Sequence, residues 1–135
     1  YDFLPDGYQN TLVLTESLDE IMADKLISFV CTERYVRHRD LWDLRWLKQQ
    51  GAKINFEFIQ NKISDYQVKN YLEKLNKRMD GLLDITTGKE FNDEISRFIP
   101  VPLQDQTIRK QKFLHYLSNE VKELLIELEN LLHRW

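Results

Sequence analysis

The sequence predicts a mainly α-helical bundle preceded by one short β-strand, and two patterns lead to that expectation. Apolar residues recur at helical spacing through most of the chain, whereas only Thr11 to Thr15 forms a convincing β-rich run. An apolar content of 42% in 135 residues suits a single core. We therefore expect one domain over residues 1–135, with residues 1–16 as strand and linker and residues 17–135 helical.

The predicted strand has no obvious partner. A single strand leaves backbone hydrogen-bonding groups unsatisfied and is not stable alone. The other β-rich candidate, around Ile54 to Ile59, is weak. We therefore expect the strand to belong to a sheet whose other strands lie upstream of this sequence.

The first two helices carry start and stop signals. Ser17 followed by Glu20 has capping-box spacing, so a helix should begin at Leu18 and run to about Thr32. A second helix is predicted from about Arg39 to Gln50. It should end at Gly51, because glycine suits a left-handed C-terminal cap.

The rest of the chain divides into shorter segments and one long final helix. We predict a short element near Asn55 to Ile63 and helices from about Asp65 to Leu83, Lys89 to Phe98 and Asp105 to His133. Pro100 and Pro102 interrupt the helical pattern before the last of these. Three phenylalanines should lie in the core: Phe91, Phe98 and Phe113.

The final helix carries a heptad seam. Its apolar residues alternate steps of three and four: Leu114, Leu117, Val121, Leu124, Leu128 and Leu131. The plain interpretation is packing inside the domain's own bundle. The alternative is a homodimer, or a groove for a partner protein, formed through this helix.

Composition narrows the class of protein. Charged residues make up 30% of the chain with a net charge of -3, which fits neither an acidic tail nor a uniformly basic nucleic-acid binder. One cysteine excludes an internal disulfide, and the apolar runs are too short for a membrane span. No leader follows Tyr1, so we expect a cytoplasmic chain that begins within a longer protein. The histidines lack ligand spacing, so no metal site is predicted.

Lys25 lies inside the apolar stripe of the first helix. Because an unpaired buried ammonium is costly, Lys25 should either extend to the edge of the stripe or meet an anion. Asp40 and Asp43 are candidate anions, since both face one side of the second helix. For Asp40, a role as a first-turn partner of the helix dipole remains the plain alternative.

The densest positive cluster precedes the second helix and contains Arg34, Arg37, His38 and Arg39. A phosphate site and an ordinary solvated turn are both open interpretations. A nucleic-acid-binding domain that also uses Arg45 is a further hypothesis, although the negative net charge counts against it.

The segment Ala23-Asp24-Lys25-Leu26, followed by Arg39-Asp40-Leu41-Trp42-Asp43-Leu44, resembles the signature of the AbiEii/AbiGii nucleotidyltransferase toxins. The specific match covers about residues 11 to 50. The resemblance implies that Lys25 contacts nucleotide phosphates and that Asp40 belongs to the active site. From the positive cluster described above, we predict Arg37 and Arg39 as the phosphate-binding residues. The resemblance implies Mg²⁺ and a nucleoside triphosphate as cofactors of the full-length protein. RNA as acceptor and an antitoxin are the implied partners.

The family's Gly-Ser turn and Asp-x-Asp motif do not occur in these 135 residues. Metal-assisted phosphoryl transfer depends on such carboxylates. The resemblance therefore implies the C-terminal helical domain of a nucleotidyltransferase toxin, inactive alone and cofactor-free, with its strand left over from a missing nucleotidyltransferase sheet. A stand-alone helical interaction module that uses the final helix is the alternative function.

Overall fold

The computed structural model describes residues 17–135, and within them the chain forms eight helices and no strand. The helical part of the fold prediction is confirmed, whereas the strand predicted at Thr11 to Thr15 lies outside the described residues. The helices are α1 (Leu18–Cys31), α2 (His38–Gln49), α3 (Phe56–Asp65), α4 (Tyr71–Asp80), α5 (Leu82–Thr86), α6 (Lys89–Ser96), α7 (Val101–Gln106) and α8 (Gln111–His133). None of these eight helices is long and apolar enough to cross a membrane.

Helix α1 begins where its cap predicts and lies at the centre of the first half of the fold. The Ser17 hydroxyl accepts the backbone N–H of Glu20 at 3.1 Å, so the predicted N-cap is confirmed. The apolar stripe of α1 is buried, and α2, α3 and α4 all pack against it. This central position leaves no room for an unpaired charge on the buried face of α1.

Helix α2 ends at the predicted glycine. Gly51 has a φ of 91°, its N–H donates to the Lys48 carbonyl at 3.1 Å, and the Ala52 N–H donates to the Leu47 carbonyl at 3.0 Å. These two bonds form a Schellman motif, which provides hydrogen-bond donors for carbonyls that have no partner within the helix. Between its ends α2 contacts α1, α6 and α8, so it is wedged inside the bundle.

The segment after α2 differs from the prediction in two places. The weak strand candidate around Ile54 to Ile59 is wrong: the Asn55 side chain caps α3 by accepting the Phe58 N–H at 3.2 Å. The single helix predicted from Asp65 to Leu83 is also wrong at both ends, because α3 ends at Asp65, α4 spans only Tyr71–Asp80, and Gly81 separates α4 from α5. Gln67 and Asn70 have φ values of 53° and 58°, which a right-handed helix cannot contain.

The start of the final helix is later than predicted. Asp105 belongs to α7, and α8 begins only at Gln111. Helix α7 can contain Pro102 because this proline lies in the first turn, where the backbone N–H has no partner within the helix.

The phenylalanine predictions have mixed outcomes. Phe91 is fully buried and Phe113 is partly buried against the core, so both follow the prediction. Phe98 is exposed instead, because it lies beyond the end of α6, and the Arg39 guanidinium covers part of its ring.

The heptad seam of α8 lies inside the domain's own bundle. Five of its six residues are buried, namely Leu114, Leu117, Val121, Leu124 and Leu128. Helix α8 packs against α2, α4 and α5, which confirms the plain interpretation of the seam. A homodimer through this helix stays a prediction, and it would have to use residues outside the seam.

Candidate functional site

Lys25 of α1 meets two carboxylates from α2. Its Nζ lies 3.2 Å from Asp40 Oδ1 and 3.2 Å from Asp43 Oδ2. Three-residue spacing on α2 directs both carboxylates toward α1, as the sequence predicts. Of the two alternatives for Lys25, the structure therefore selects the anion.

The second oxygen of Asp40 is also bonded. The Ser28 hydroxyl donates to Asp40 Oδ2 at 2.5 Å, and Arg37 Nε donates to the same oxygen at 2.8 Å. Asp40 thus joins α1 to the start of α2 through Lys25, Ser28 and Arg37. Sequence reasoning missed Ser28, although it follows Lys25 by three residues and so shares its helix face.

In this cluster the carboxylates are buried, whereas the cations are partly exposed. The Asp40 and Asp43 side chains are 1% and 2% exposed, whereas that of Lys25 is 25% exposed and that of Arg37 more so. Lys25 and Arg37 bring positive charge to these carboxylates, which offsets part of the cost of taking the carboxylates out of water. The positive groups consequently form the outer layer of the cluster.

Both cations line one groove, which we call the lysine groove. It encloses about 570 Å³ and is lined by Asp24, Lys25, Ile27, Ser28, Cys31, Arg37, Tyr66 and Val68. Asp24 is paired there with Lys62 of α3 at 2.6 Å. Burial raises the pKa of the Cys31 thiol, which disfavours its thiolate form.

Arg39 is not part of this cluster. Its guanidinium lies 3.8 Å from the centroid of the Phe98 ring, a cation–π contact on another face of the bundle. Arg37 and Arg39 both line a second groove of about 770 Å³, where the acidic residues Glu90, Asp93 and Glu94 also lie. The positive cluster seen in the sequence therefore faces acidic residues of α6 and is not a uniformly basic surface.

His38 lies between the second groove and the core. Its ring packs edge-to-face on Phe91 with centroids 5.7 Å apart, and its buried Nδ1 has no hydrogen-bond partner. Burial lowers the pKa of His38, against the opposing carboxylates of Glu90 and Glu94. The ring is therefore neutral at physiological pH.

The described residues do not fit a divalent metal ion. Among residues 17–135, no group of three or more His, Cys, Asp or Glu side chains converges at a spacing that could hold one. Asp40 and Asp43 face cations instead. A Mg²⁺ ion would need carboxylates other than these.

The sequence was compared with known protein families, with curated proteins and with solved structures. The model of a family described as "Nucleotidyl transferase AbiEii toxin, Type IV TA system" matches residues 1–121. No curated protein and no solved structure matches the chain.

Proposed function

This chain belongs to the AbiEii family of nucleotidyl transferase toxins of type IV toxin–antitoxin systems, and we propose that its helices form one wall of the toxin's nucleotide site. Lys25 and Arg37 contact the phosphates of a nucleoside triphosphate, and Asp40 holds both cations in place. The Gly-Ser and Asp-x-Asp motifs, which these 135 residues do not contain, would stand on the opposite wall in a catalytic core. RNA as acceptor and an antitoxin as partner are proposed on the family alone.

One observation carries the proposal: two buried carboxylates hold a partly exposed lysine that lines a groove. A buried ion cluster adds little to stability, since desolvation of the charges offsets their attraction. Held in this way, the Lys25 ammonium is a fixed positive charge on the groove wall. Fixed charges aimed at a reacting phosphate are the main means by which proteins assist phosphoryl transfer.

The geometry supports an orienting role for Asp40. A general base must reach the hydroxyl whose proton it takes. Asp40 is 1% exposed, and its two oxygens already accept from Lys25, Ser28 and Arg37. Asp40 therefore acts in our proposal as a positioning residue, and Lys25 as the residue that touches substrate.

Arg37 and Arg39 have different places in the proposal. Arg37 donates its Nε to Asp40 while its guanidinium lines the lysine groove, so we assign its terminal nitrogens to phosphate. We leave Arg39 out of the site, because its guanidinium lies on Phe98. When bound, Mg²⁺ would neutralise charge on the phosphates, and the described residues supply no ligands for it.

The test is substitution of the site in a toxin that includes the catalytic core. Lys25→Met and Asp40→Asn should each lower nucleotide transfer by about 100-fold or more, because each change disturbs a charge that acts on the phosphates. Growth inhibition should fall with them. Thermal unfolding of each variant establishes that the fold is retained.

Lys48 offers a matched control. It is 26% exposed, against 25% for Lys25, and it also bridges two carboxylates of another helix, Glu120 at 3.4 Å and Glu123 at 2.5 Å. Lys48→Met should leave transfer and toxicity unchanged. Full activity in folded Lys25→Met would remove Lys25 from the site, and an equal loss in Lys48→Met would show that any interhelical lysine matters.

A further inference from the structure

An exposed aromatic ring lies at the lysine groove. Tyr66, at the C-terminal end of α3, is 62% exposed and lines the groove together with Lys25 and Arg37. A single exposed apolar residue is ordinary on a protein surface. The position of Tyr66 needs an explanation only because the ring borders the proposed phosphate site.

The backbone beside Tyr66 is fixed by a Schellman motif. The Gln67 N–H donates to the Ser64 carbonyl at 3.1 Å, and the Val68 N–H donates to the Ile63 carbonyl at 2.9 Å. Gln67 takes the left-handed backbone conformation, with a φ of 53°, which residues other than glycine rarely adopt. Val68 and Ile63 both pack against the core, so the turn that carries Tyr66 is anchored on both sides.

The lining of the groove combines two kinds of side chain. Lys25 and Arg37 are cations, whereas Tyr66 is aromatic and Ile27 and Val68 are aliphatic. A nucleotide likewise combines two parts, namely a polyanion and a flat aromatic base. The groove volume of about 570 Å³ lies in the range that holds small-molecule ligands.

We propose that Tyr66 is the platform on which the base of the nucleotide stacks while its phosphates contact Lys25 and Arg37. This inference rests on the proposed function and adds how the site holds the base. Proteins commonly bind bases by stacking them on aromatic side chains, and a stack tolerates every base because each has a π-face.

The neighbouring polar groups favour stacking over readout of base edges. Ser28 donates its hydroxyl hydrogen to Asp40, and Asp24 is paired with Lys62. The site should therefore accept all four bases, with purines bound more tightly than pyrimidines because their larger rings overlap more of the tyrosine. The Tyr66 hydroxyl has no part in the stack.

The experiment measures the affinity of the toxin, catalytic core included, for ATP, UTP and inorganic tripolyphosphate by titration calorimetry. Tyr66→Ala should weaken ATP binding by about 10-fold and reduce the preference of ATP over UTP. Tripolyphosphate affinity should not change, because this probe has no base. Tyr66→Phe should bind all three ligands as the parent protein does.

Tyr35 is the matched control, since it is 61% exposed and lines the second groove rather than the lysine groove. Tyr35→Ala should leave ATP affinity unchanged. If Tyr66→Ala binds ATP normally, or loses tripolyphosphate to the same degree as ATP, the stacking role is overturned.

The Lys25→Met variant distinguishes the stacking role of Tyr66 from the phosphate-binding role on which it depends. It should weaken ATP and tripolyphosphate alike, because it removes a phosphate contact. If Lys25→Met weakens both while Tyr66→Ala weakens neither, the phosphate site stands and the base platform fails. If Lys25→Met weakens neither, the proposed function fails first.

Discussion

Lys25 and Lys48 show how the surroundings of one residue type decide what it can do. Both lysines bridge two carboxylates of a neighbouring helix. The partners of Lys48 include the exposed Glu123, so that pair is screened by water and salt. The partners of Lys25 are buried, and Lys25 itself lines a groove. A positive charge held against buried carboxylates keeps its position, which is what a phosphate site requires.

His38 makes a prediction about pH at the same scale. Burial lowers its pKa in the folded chain below the usual value near 6.5, with Glu90 and Glu94 opposing that shift and Arg78 adding to it. The unfolded chain therefore binds this proton more readily, so the stability contributed by neutral His38 is complete above about pH 6.5 and is lost as pH falls through the folded pKa. His38→Gln should remove this part of the pH dependence.

The measurement is the free energy of unfolding in urea at several pH values from about 5 to 8. The difference between parent and His38→Gln should shrink toward acid pH, by less than about 1 kcal/mol, because the ring is only partly buried. His115 is exposed, so His115→Gln serves as control. Parallel curves for parent and His38→Gln would contradict the prediction.

At the scale of single elements, α2 and α3 end in the same motif built from different residues. Each helix closes with a Schellman pair of hydrogen bonds. The left-handed residue is Gly51 after α2, with a φ of 91°, and Gln67 after α3, with a φ of 53°. Only the first ending has the residue that suits the conformation, which explains why only the first could be predicted.

This difference predicts opposite effects of two substitutions. A Cβ on Gly51 would meet no atom within 4 Å, so the cost of Gly51→Ala is confined to the backbone and should be about 1 kcal/mol. Gln67→Gly relieves the left-handed strain but loosens the unfolded chain, so it should raise stability by less than about 1 kcal/mol. Urea unfolding of the two variants decides the matter, and a neutral Gly51→Ala would refute the backbone account.

For the whole molecule, two helices connect most of the fold. Helix α1 packs against α2, α3 and α4, while α8 packs against α2, α4 and α5. The seam of α8 thus fills the second half of the core. Since α2 and α4 touch both helices, the lysine groove and the α8 seam are connected through shared helices.

Leu117→Ala tests that the seam is core rather than a dimer interface. Leu117 is fully buried, so its truncation should cost about 2–5 kcal/mol through lost burial and the cavity left behind. Ile126→Ala, at an exposed position of the same helix, should cost less than about 1 kcal/mol. Urea midpoints that shift with protein concentration in the parent chain would instead indicate that the chain dimerises.

Local signals could be read from the amino-acid order alone. The Ser17 cap, the Gly51 cap and the facing of Lys25 toward Asp40 and Asp43 each depend on residues a few positions apart or on a helix period. The family signature is local too, since it lies on the first two helices. Such features depend on the spacing of residues along the chain, and the structure contains both caps and the Lys25 ion pairs.

Contacts between distant residues were decided by the tertiary structure. Arg78 of α4 donates to the Phe29 carbonyl at 3.1 Å and to the Thr32 carbonyl at 2.6 Å, both at the end of α1. No sequence spacing predicts these two bonds. The placement of Tyr66 at the lysine groove and of Arg39 on Phe98 has the same origin. Each depends on how helices pack, which is set by the burial of the whole core rather than by any local pattern.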